Sequence, residues 1–202
     1  MQVAVLGAGG KAGSELVKEL VSRGHSVRAI GRNEANLPSG ERIEQRVADV
    51  STVDGLADAV EGCDAVISAL HFDVPFPTFK EGLEKAGVER VIFTGGAASL
   101  NNPDGKRVYD SEHFPDFLRP IVKPAIDFLD DLRGERKLNW TFFSPAMNFV
   151  VGERRGSFRL GKDEMVYDAE GKSEISYADA AIAMVDELEL ENNPRGRFTA
   201  AY

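Results

Sequence analysis

The sequence predicts a single α/β domain in which a doubly wound, mainly parallel sheet carries helices on both faces. Two observations lead to this fold class. Short apolar runs alternate with segments of helical periodicity along most of the chain, an order typical of strand–helix–strand units. The first apolar run also ends in a glycine cluster, at residues 7–13, which a helical pattern follows at once. The 202 residues suffice for one sizeable core, and no linker divides them.

Short apolar runs bounded by turn residues predict the strands. They cover residues 3–6, 26–30, 43–47, 64–70, 90–94, 138–143 and 197–201. Segments whose apolar side chains recur on one face predict the helices. They cover residues 16–21, 52–60, 79–86, 121–136 and 177–190. In a sheet of this kind, ligands gather at the carboxyl ends of the strands.

One part of the chain is less regular, and another is expected to lie on the substrate side. Residues 97–120 contain several prolines and glycines, which break any long element. We therefore expect a loop-rich stretch that could lie over a site. We expect residues of about 145–202 to form a small C-terminal region on the substrate side.

The composition indicates which partners to expect. The net charge is −9 and the pI is about 4.9, whereas a nucleic-acid or anionic-membrane surface would show clustered lysine and arginine. The one cysteine, Cys63, cannot form an internal disulfide, and no basic leader precedes the first apolar run. We therefore expect a cytoplasmic monomer or homodimer that binds a small molecule, with no metal site and no nucleic-acid or membrane partner.

The glycine cluster predicts an anion site, because a strand feeding a glycine turn and then a helix aims backbone N–H groups and the helix dipole at one point. Two spacings fit a dinucleotide. Gly7, Gly9 and Ala12 match G-x-G-x-x-G/A. Gly7, Gly10 and Gly13 match the looser G-x-x-G-x-x-G. The residues expected at the phosphates are Gly7, Gly9, Gly10, Lys11, Ala12 and Gly13. A structural turn in an unrelated α/β protein is the alternative.

The end of the second strand indicates which nucleotide binds. Sites that select NAD place Asp or Glu about 20 residues after the glycines, whereas an arginine there accommodates the 2′-phosphate of NADP. Here Arg32 follows the strand, and the nearest acid, Glu34, lies deeper in the loop. A guanidinium can bind phosphate with two parallel hydrogen bonds. We expect NADP(H) in preference to NAD(H); the alternative is that Arg32 is a solvated loop charge.

Three further strand ends complete the expected cofactor site. After the third strand, Asp49 could accept a hydrogen bond from the adenine amino group while Val50 packs on the ring. The equally weighted alternative is that Asp49 only supports the turn into the next helix. The end of the fourth strand should line the ribose and pyrophosphate, with Ser68, Ala69, Leu70 and His71. The end of the fifth should lie near the nicotinamide, with Thr94, Gly95 and Gly96.

With these residues in place, the whole chain resembles the atypical short-chain dehydrogenase/reductase family, particularly its small NAD(P)H-binding members related to NmrA-like and biliverdin-reductase-B-like proteins. The resemblance is carried by the glycine turn, Arg32, Asp49, residues 94–99, Ser144-Pro145, residues 151–156 and residues 175–183. It implies that residues 1–202 form one NAD(P)-binding Rossmann domain. It also implies oxidoreductase chemistry.

The sequence departs from the family at its best-known catalytic motif. Dehydrogenases of this family use a Tyr-x-x-x-Lys pair, in which tyrosine transfers the proton and lysine holds the nicotinamide ribose. Here the corresponding segment reads Arg119-Pro-Ile-Val-Lys123, with arginine in place of tyrosine. The resemblance implies that Lys123 retains the ribose contact. Hydride transfer needs only the bound cofactor and a positioned acceptor, so a reductase that takes its proton from water or another side chain is still compatible.

Lys123, His71 and Ser99 are the candidates for a catalytic role. His71 is expected at the ligand-facing edge, and histidine side chains often transfer protons in enzymes, although a cofactor contact without a proton role is the favoured interpretation. Ser99 could polarise a carbonyl, but no His–Asp pattern supports its use as a nucleophile. Bulky apolar side chains should surround the nicotinamide and suit a planar or aromatic acceptor such as a flavin or quinone, unless they only pack the core. They are Phe72, Phe76, Phe114, Phe117, Met147 and Phe149.

These observations favour an NADPH-dependent reductase of a small, planar acceptor. The alternative is a regulatory or interaction protein that binds NADP(H) without turnover, because the tyrosine is missing. A sugar-nucleotide epimerase or dehydratase is disfavoured, because such enzymes need the tyrosine and usually a larger C-terminal substrate domain. The fold alone does not decide among the three.

Overall fold

A computed structural model describes residues 1–202 and shows one central sheet of eight strands. The strands of the chain are β1 (Gln2–Leu6), β2 (Ser26–Gly31), β3 (Ile43–Val47), β4 (Ala65–Ser68), β5 (Arg90–Thr94), β6 (Asn139–Phe143), β7 (Asn148–Val150), β8 (Arg159–Gly161), β9 (Glu174–Ser176) and β10 (Gly196–Ala201). Their order in the central sheet is β3-β2-β1-β4-β5-β6-β10-β8, and only β8 runs antiparallel to its neighbour. The strands β7 and β9 form a separate parallel pair.

Helices cover both faces of the sheet. They are α1 (Lys11–Ser22), α2 (Val53–Val60), α3 (Phe76–Ala86), α4 (Arg119–Gly134) and α5 (Tyr177–Leu190). One buried cluster joins α1 and α5 to the sheet, and a second joins α2, α3 and α4 to its other face. The predicted doubly wound α/β fold is therefore confirmed. No helix combines the length and the apolar character needed to cross a bilayer.

The strand order creates one crevice at the carboxyl edge of the sheet. β1 pairs with β2 on one side and with β4 on the other, so the chain winds outward in opposite directions from this point. The connections after β1 and β4 leave the sheet towards opposite faces, which opens a crevice where ligands bind in open α/β sheets.

Some element bounds differ from the sequence-based expectation. The fourth strand ends at Ser68 rather than at residue 70, because Ala69 and Leu70 turn out of the ladder and line a cavity. The helix α4 begins at Arg119, two residues before the expected start, and Pro120 lies in its first turn, where the missing N–H of proline costs nothing. The short strands β7, β8 and β9 have too few residues for a detectable alternation, and the sequence did not predict them.

A serine side chain caps the last helix, and the acid three residues later holds a neighbouring segment of the chain. The Ser176 hydroxyl accepts the Asp179 N–H at 3.0 Å. The buried Asp179 carboxylate accepts the N–H groups of Arg155 and Gly156 at 3.1 and 2.9 Å and the Tyr202 hydroxyl at 2.7 Å. Asp179 therefore holds residues 155–156 against the start of α5.

The end of α4 is fixed by a buried carboxylate. Glu135 accepts the N–H groups of residues 136–138 through Oε1, and its Oε2 lies 2.6 Å from Lys80 Nζ. Burial by itself would raise the pKa of Glu135, but the Lys80 ammonium and the three N–H donors outweigh it and lower that pKa to about 2. The carboxylate is thus more stable in the folded than in the unfolded chain.

We expect Glu135→Gln to lower the free energy of unfolding at pH 7 by about 1–3 kcal/mol, because the buried charged acceptor of three N–H groups and the Lys80 ammonium is lost. A depressed folded-state pKa stabilises the fold above the unfolded value of 4.5, and this advantage disappears as the pH falls towards about 2. Denaturant unfolding of both proteins between pH 7 and pH 2 measures it. The exposed Glu89→Gln serves as the control; a gap between wild type and Glu135→Gln that stays constant with pH would contradict the account.

Candidate functional site

Two adjoining cavities lie at the carboxyl edge of the sheet. The first has a volume of about 470 Å³ and lies over the ends of β1, β2 and β3. The second has a volume of about 490 Å³ and lies between the end of β5 and one face of α4. Leu70, His71 and Asp73, which follow β4, line both cavities. The two spaces therefore form one cleft across the point where the strand order reverses.

The glycine turn forms one wall of the first cavity. Gly7, Gly9 and Gly10 line it. Gly7 has φ of +76°, a backbone conformation that side chains disfavour. A Cβ added to Gly13 would lie 2.1 Å from the carbonyl oxygen of Gly7, so no other residue fits there. The backbone thus requires the last glycine of the G-x-x-G-x-x-G spacing. It also requires Gly9 of the other spacing, where a Cβ would lie 2.7 Å from the carbonyl oxygen of Asn36.

The start of α1 is suited to a phosphate. Gly10 caps the helix without a side chain, so Lys11, Ala12 and Gly13 present first-turn N–H groups that have no acceptor within the helix. These three residues do not line the cavity with their side chains; what they offer is backbone N–H groups and the positive end of the helix dipole. This cradle fits the pyrophosphate of a dinucleotide.

The other wall of the first cavity carries the two charged residues predicted from the sequence. Arg32 is exposed, and no hydrogen bond or ion pair within the chain engages its guanidinium. Asp49 accepts the Ser51 N–H at 3.0 Å. Hydrogen bonds from Ser51 lower the pKa of Asp49, and the positive charge of Arg32 lowers it further. Val50 also lines this wall, so a cation, a carboxylate and an apolar surface meet at one end of the cleft.

The second cavity is mainly apolar. Its floor is made by Thr94, Gly95 and Gly96 at the end of β5, with Ser99 behind them. Its opposite wall is one face of α4, formed by Pro120, Ile121, Val122, Pro124, Ala125 and Ile126. Apolar walls with few polar groups are typical of sites for small organic molecules.

Ser99 has a defined hydrogen-bond arrangement. Its Oγ lies 3.0 Å from the carbonyl oxygen of Gly96 and 2.9 Å from Ser144 Oγ. Ser144 is fully buried and has no other acceptor, so both hydroxyl groups are satisfied when Ser144 donates to Ser99 and Ser99 donates to Gly96. The buried Arg197 guanidinium also donates to the Ser99 carbonyl. The Ser99 proton is thus engaged within the protein and is not free to polarise a carbonyl.

The remaining predicted site residues divide into two groups. Ala69 and His71 line the cleft, and the exposed His71 lies at the boundary between the two cavities. Ser68 is buried within β4 and lines neither cavity. Lys123, which was expected at the nicotinamide ribose, also lies outside both cavities. Its Nζ lies 2.6 Å from Asp127 Oδ2 on the solvent side of α4. That hydrogen bond raises the pKa of Lys123.

Arg119, which the resemblance aligned with the tyrosine of the family motif, has a structural role. It donates to the carbonyl oxygens of Tyr109 and Ser111 at 2.9 and 3.3 Å. Its guanidinium carbon also lies 5.2 Å from the Tyr109 ring centroid and 5.5 Å from that of Phe114. Arg119 thereby ties the preceding loop to the start of α4, and no tyrosine hydroxyl enters the cleft.

Several lining residues were not predicted. In the first cavity they include Asn33, Asn36, Ser51 and Asp73. In the second cavity, the aliphatic face of α4 forms the wall that aromatic side chains were expected to form. Of the expected aromatic side chains, only Phe72 lines this cavity. Phe76 instead packs against Phe128, with ring centroids 5.4 Å apart. No residue of the region 145–202 lines either cavity. The sequence shows which apolar residues of α4 share a helical face, but it does not show which face lines the second cavity.

We expect Gly13→Ala to destabilise the protein by about 1–3 kcal/mol, because the new Cβ must displace backbone, and to weaken dinucleotide binding at least about tenfold through the distorted cradle. Gly134→Ala is the matched control, since a Cβ there meets nothing within 4 Å. It should leave stability unchanged or raise it. Thermal unfolding and fluorescence titration measure both effects, and wild-type affinity in Gly13→Ala would refute the assigned cradle.

Comparison with known proteins agrees with this geometry. Residues 7–191 match a family described as NAD(P)H-binding. The chain is 37% identical over 211 residues to the uncharacterized protein YwnB of Bacillus subtilis, covering 98% of this chain and 97% of that one.

Two solved structures extend the comparison. A proposed epimerase from Bacteroides thetaiotaomicron is 39% identical, with a TM-score of 0.93 over 100% of this chain and 96% of that one. A proposed NADH-flavin reductase from Streptococcus pneumoniae is 36% identical, with a TM-score of 0.84 over 100% and 99%. The chain therefore belongs to the NAD(P)H-binding family and is an atypical short-chain dehydrogenase/reductase protein.

Proposed function

We propose that the protein is an NADPH-dependent reductase of a small, planar acceptor. One observation carries the proposal: a cleft that fits a dinucleotide continues directly into an apolar cavity of about 490 Å³. A protein that only holds a nucleotide needs the first cavity and room for the nicotinamide end, but no space beside that ring. The second leaves room for the nicotinamide end and for an acceptor beside it.

The preference for NADPH rests on Arg32. The 2′-phosphate of the adenosine ribose would give this unpaired guanidinium a partner in the first cavity. The relative from Streptococcus pneumoniae is described with NADH, so the nucleotide preference is a separate point to be tested on this chain.

The reaction is a two-electron reduction. A bound reduced nicotinamide would supply a hydride from a C–H bond of its ring, and the acceptor would gain that hydride together with one proton, leaving the oxidised dinucleotide. The glycine turn holds the phosphates, the strand end 94–96 supports the ring, and the apolar face of α4 excludes water. Among Lys123, His71 and Ser99, only His71 is exposed at the boundary of the two cavities. We assign proton delivery to solvent or to His71.

A nucleotide-binding regulator without turnover is the second candidate. The observation that favours it is Arg119, which occupies the position of the missing tyrosine and is fully engaged by the loop. Such a protein would bind NADP(H) tightly and reduce nothing.

We expect Arg32→Ala to weaken NADPH binding by about 10–100-fold, the value of a charge-assisted hydrogen bond, and to leave NADH binding almost unchanged. Titration of protein fluorescence with each nucleotide gives both constants. The control is Arg133→Ala, which removes an equal charge from α4 at a position that lines neither cavity. A clear preference for NADH that Arg32→Ala does not alter would overturn the assignment.

We expect Ala125→Phe to abolish turnover, because the added ring fills the second cavity, while most of the NADPH affinity, which resides in the first cavity, is retained. NADPH oxidation with flavins, quinones and aldehydes measures the first effect and nucleotide titration the second. Asp131→Phe places the same ring on the exposed side of α4 and should be silent. If wild-type protein binds NADPH tightly but oxidises it with none of these acceptors, the regulator is the better description.

A further inference from the structure

An apolar stripe on α4 continues the second cavity out to the protein surface. It consists of Phe117, Pro120, Ile121 and Pro124, which are all exposed. Their spacing of three and four residues places them on one helical face. Phe117 and Ile121 are 73% and 69% exposed, values unusual for large apolar side chains that lie side by side.

The backbone keeps these residues in one row. Phe117 belongs to a short 3₁₀ turn, Asp116–Leu118, and α4 begins at the next residue. Leu118 and Arg119 both have right-handed helical backbone angles, so the helix continues through the junction. From Phe117 to Pro124 the stripe is roughly 10 Å long, at the helical rise of 1.5 Å per residue.

The chain itself does not cover the stripe. The loop before α4 packs onto Arg119 through Tyr109 and Phe114. The charged pair of Lys123 and Asp127 also lies on this helix, but outside the wall of the second cavity. The stripe thus stays open to solvent at its Phe117 end.

Continuity with the second cavity identifies the occupant. Pro120, Ile121 and Pro124 belong both to the stripe and to the cavity wall, and Phe117 extends the row beyond it. A stable dimer buries about 800 Å² on each partner, from some 20–30 residues, which is far more than four side chains supply. A ligand that leaves the cavity along α4 would instead lie on the whole stripe.

We propose that the acceptor carries an apolar chain, as in an alkylated or prenylated quinone, and that this chain lies along the stripe from Pro124 to Phe117. The inference rests on the proposed reductase function and names its substrate class. The quinone head receives a hydride from NADPH and a proton from water, which yields NADP⁺ and the hydroquinone. The apolar substituent of the quinone takes no part in the redox step and contributes only to binding.

The test is a series of one benzoquinone head carrying a methyl, a butyl or a decyl chain, assayed below the concentration at which each aggregates. We expect kcat/KM to rise with chain length, by at least about tenfold from methyl to decyl, since each methylene that leaves water favours binding. In Phe117→Ser, which alters the stripe outside the cavity wall, the rise should flatten, while turnover of the methyl compound and NADPH binding stay close to wild type. Val151→Ser, which removes an equally exposed apolar side chain that lines neither cavity, should keep the full rise.

The outcomes separate the two levels of the proposal. Turnover of all three quinones with no dependence on chain length would overturn the assignment of the stripe and leave the reductase function standing. No turnover with any quinone, flavin or aldehyde would remove the function on which it rests. Sedimentation of wild type and Phe117→Ser gives the remaining outcome: a dimer that Phe117→Ser dissociates, with an unchanged chain-length dependence, would assign the stripe to a second copy of the chain and overturn the inference.

Discussion

The close contact between the turn after β1 and the first turn of α1 is the constraint on which the site depends. With no side chain at Gly13, the helix approaches the Gly7 carbonyl at a distance that a Cβ would reduce to 2.1 Å. This approach aims the N–H groups of the first turn into the crevice between β1 and β4. The helix α1 also packs against α5. At the end of α1, the Arg23 guanidinium pairs with Asp186 and Glu189 of α5 at 2.7 and 2.8 Å. The first-turn N–H groups that face the crevice and the side chains that pack on α5 thus belong to the same helix.

A buried arginine behind the second cavity fixes the backbone segment that lines it. Arg197 is almost fully buried and connects the Ser99 carbonyl to Asp163, whose Oδ1 accepts its Nε–H at 3.0 Å. Burial lowers the pKa of Arg197, while Asp163 opposes that effect. A buried guanidinium is tolerated only when its donors are satisfied, and here they hold the segment that carries Ser99 in place. The C-terminal region contributes this support and no cavity wall.

The sequence predicts those parts of the structure that depend on a residue type at a given place along the backbone. The glycine turn, the alternation of strands and helices and the position of Arg32 at the end of β2 are of this kind. Side-chain direction is different, because it depends on how each helix is rotated against the sheet. Lys123 was expected at the ribose and pairs with Asp127 instead, and the wall of the second cavity is aliphatic rather than aromatic. Spacing along the chain shows which residues share a face, but packing decides where that face points.

Arg119 has a mechanical role at a position where the resemblance implied a chemical one. The resemblance aligned this residue with the proton-transferring tyrosine of the family's dehydrogenases, yet here two carbonyl groups and two aromatic rings engage its guanidinium. A side chain with five N–H donors is well suited to gathering a loop and poorly suited to exchanging protons. What the structure shows at this position is a mechanical task, the attachment of a loop to the start of α4. A search that scored Arg119 only as a missing tyrosine would overlook this anchor.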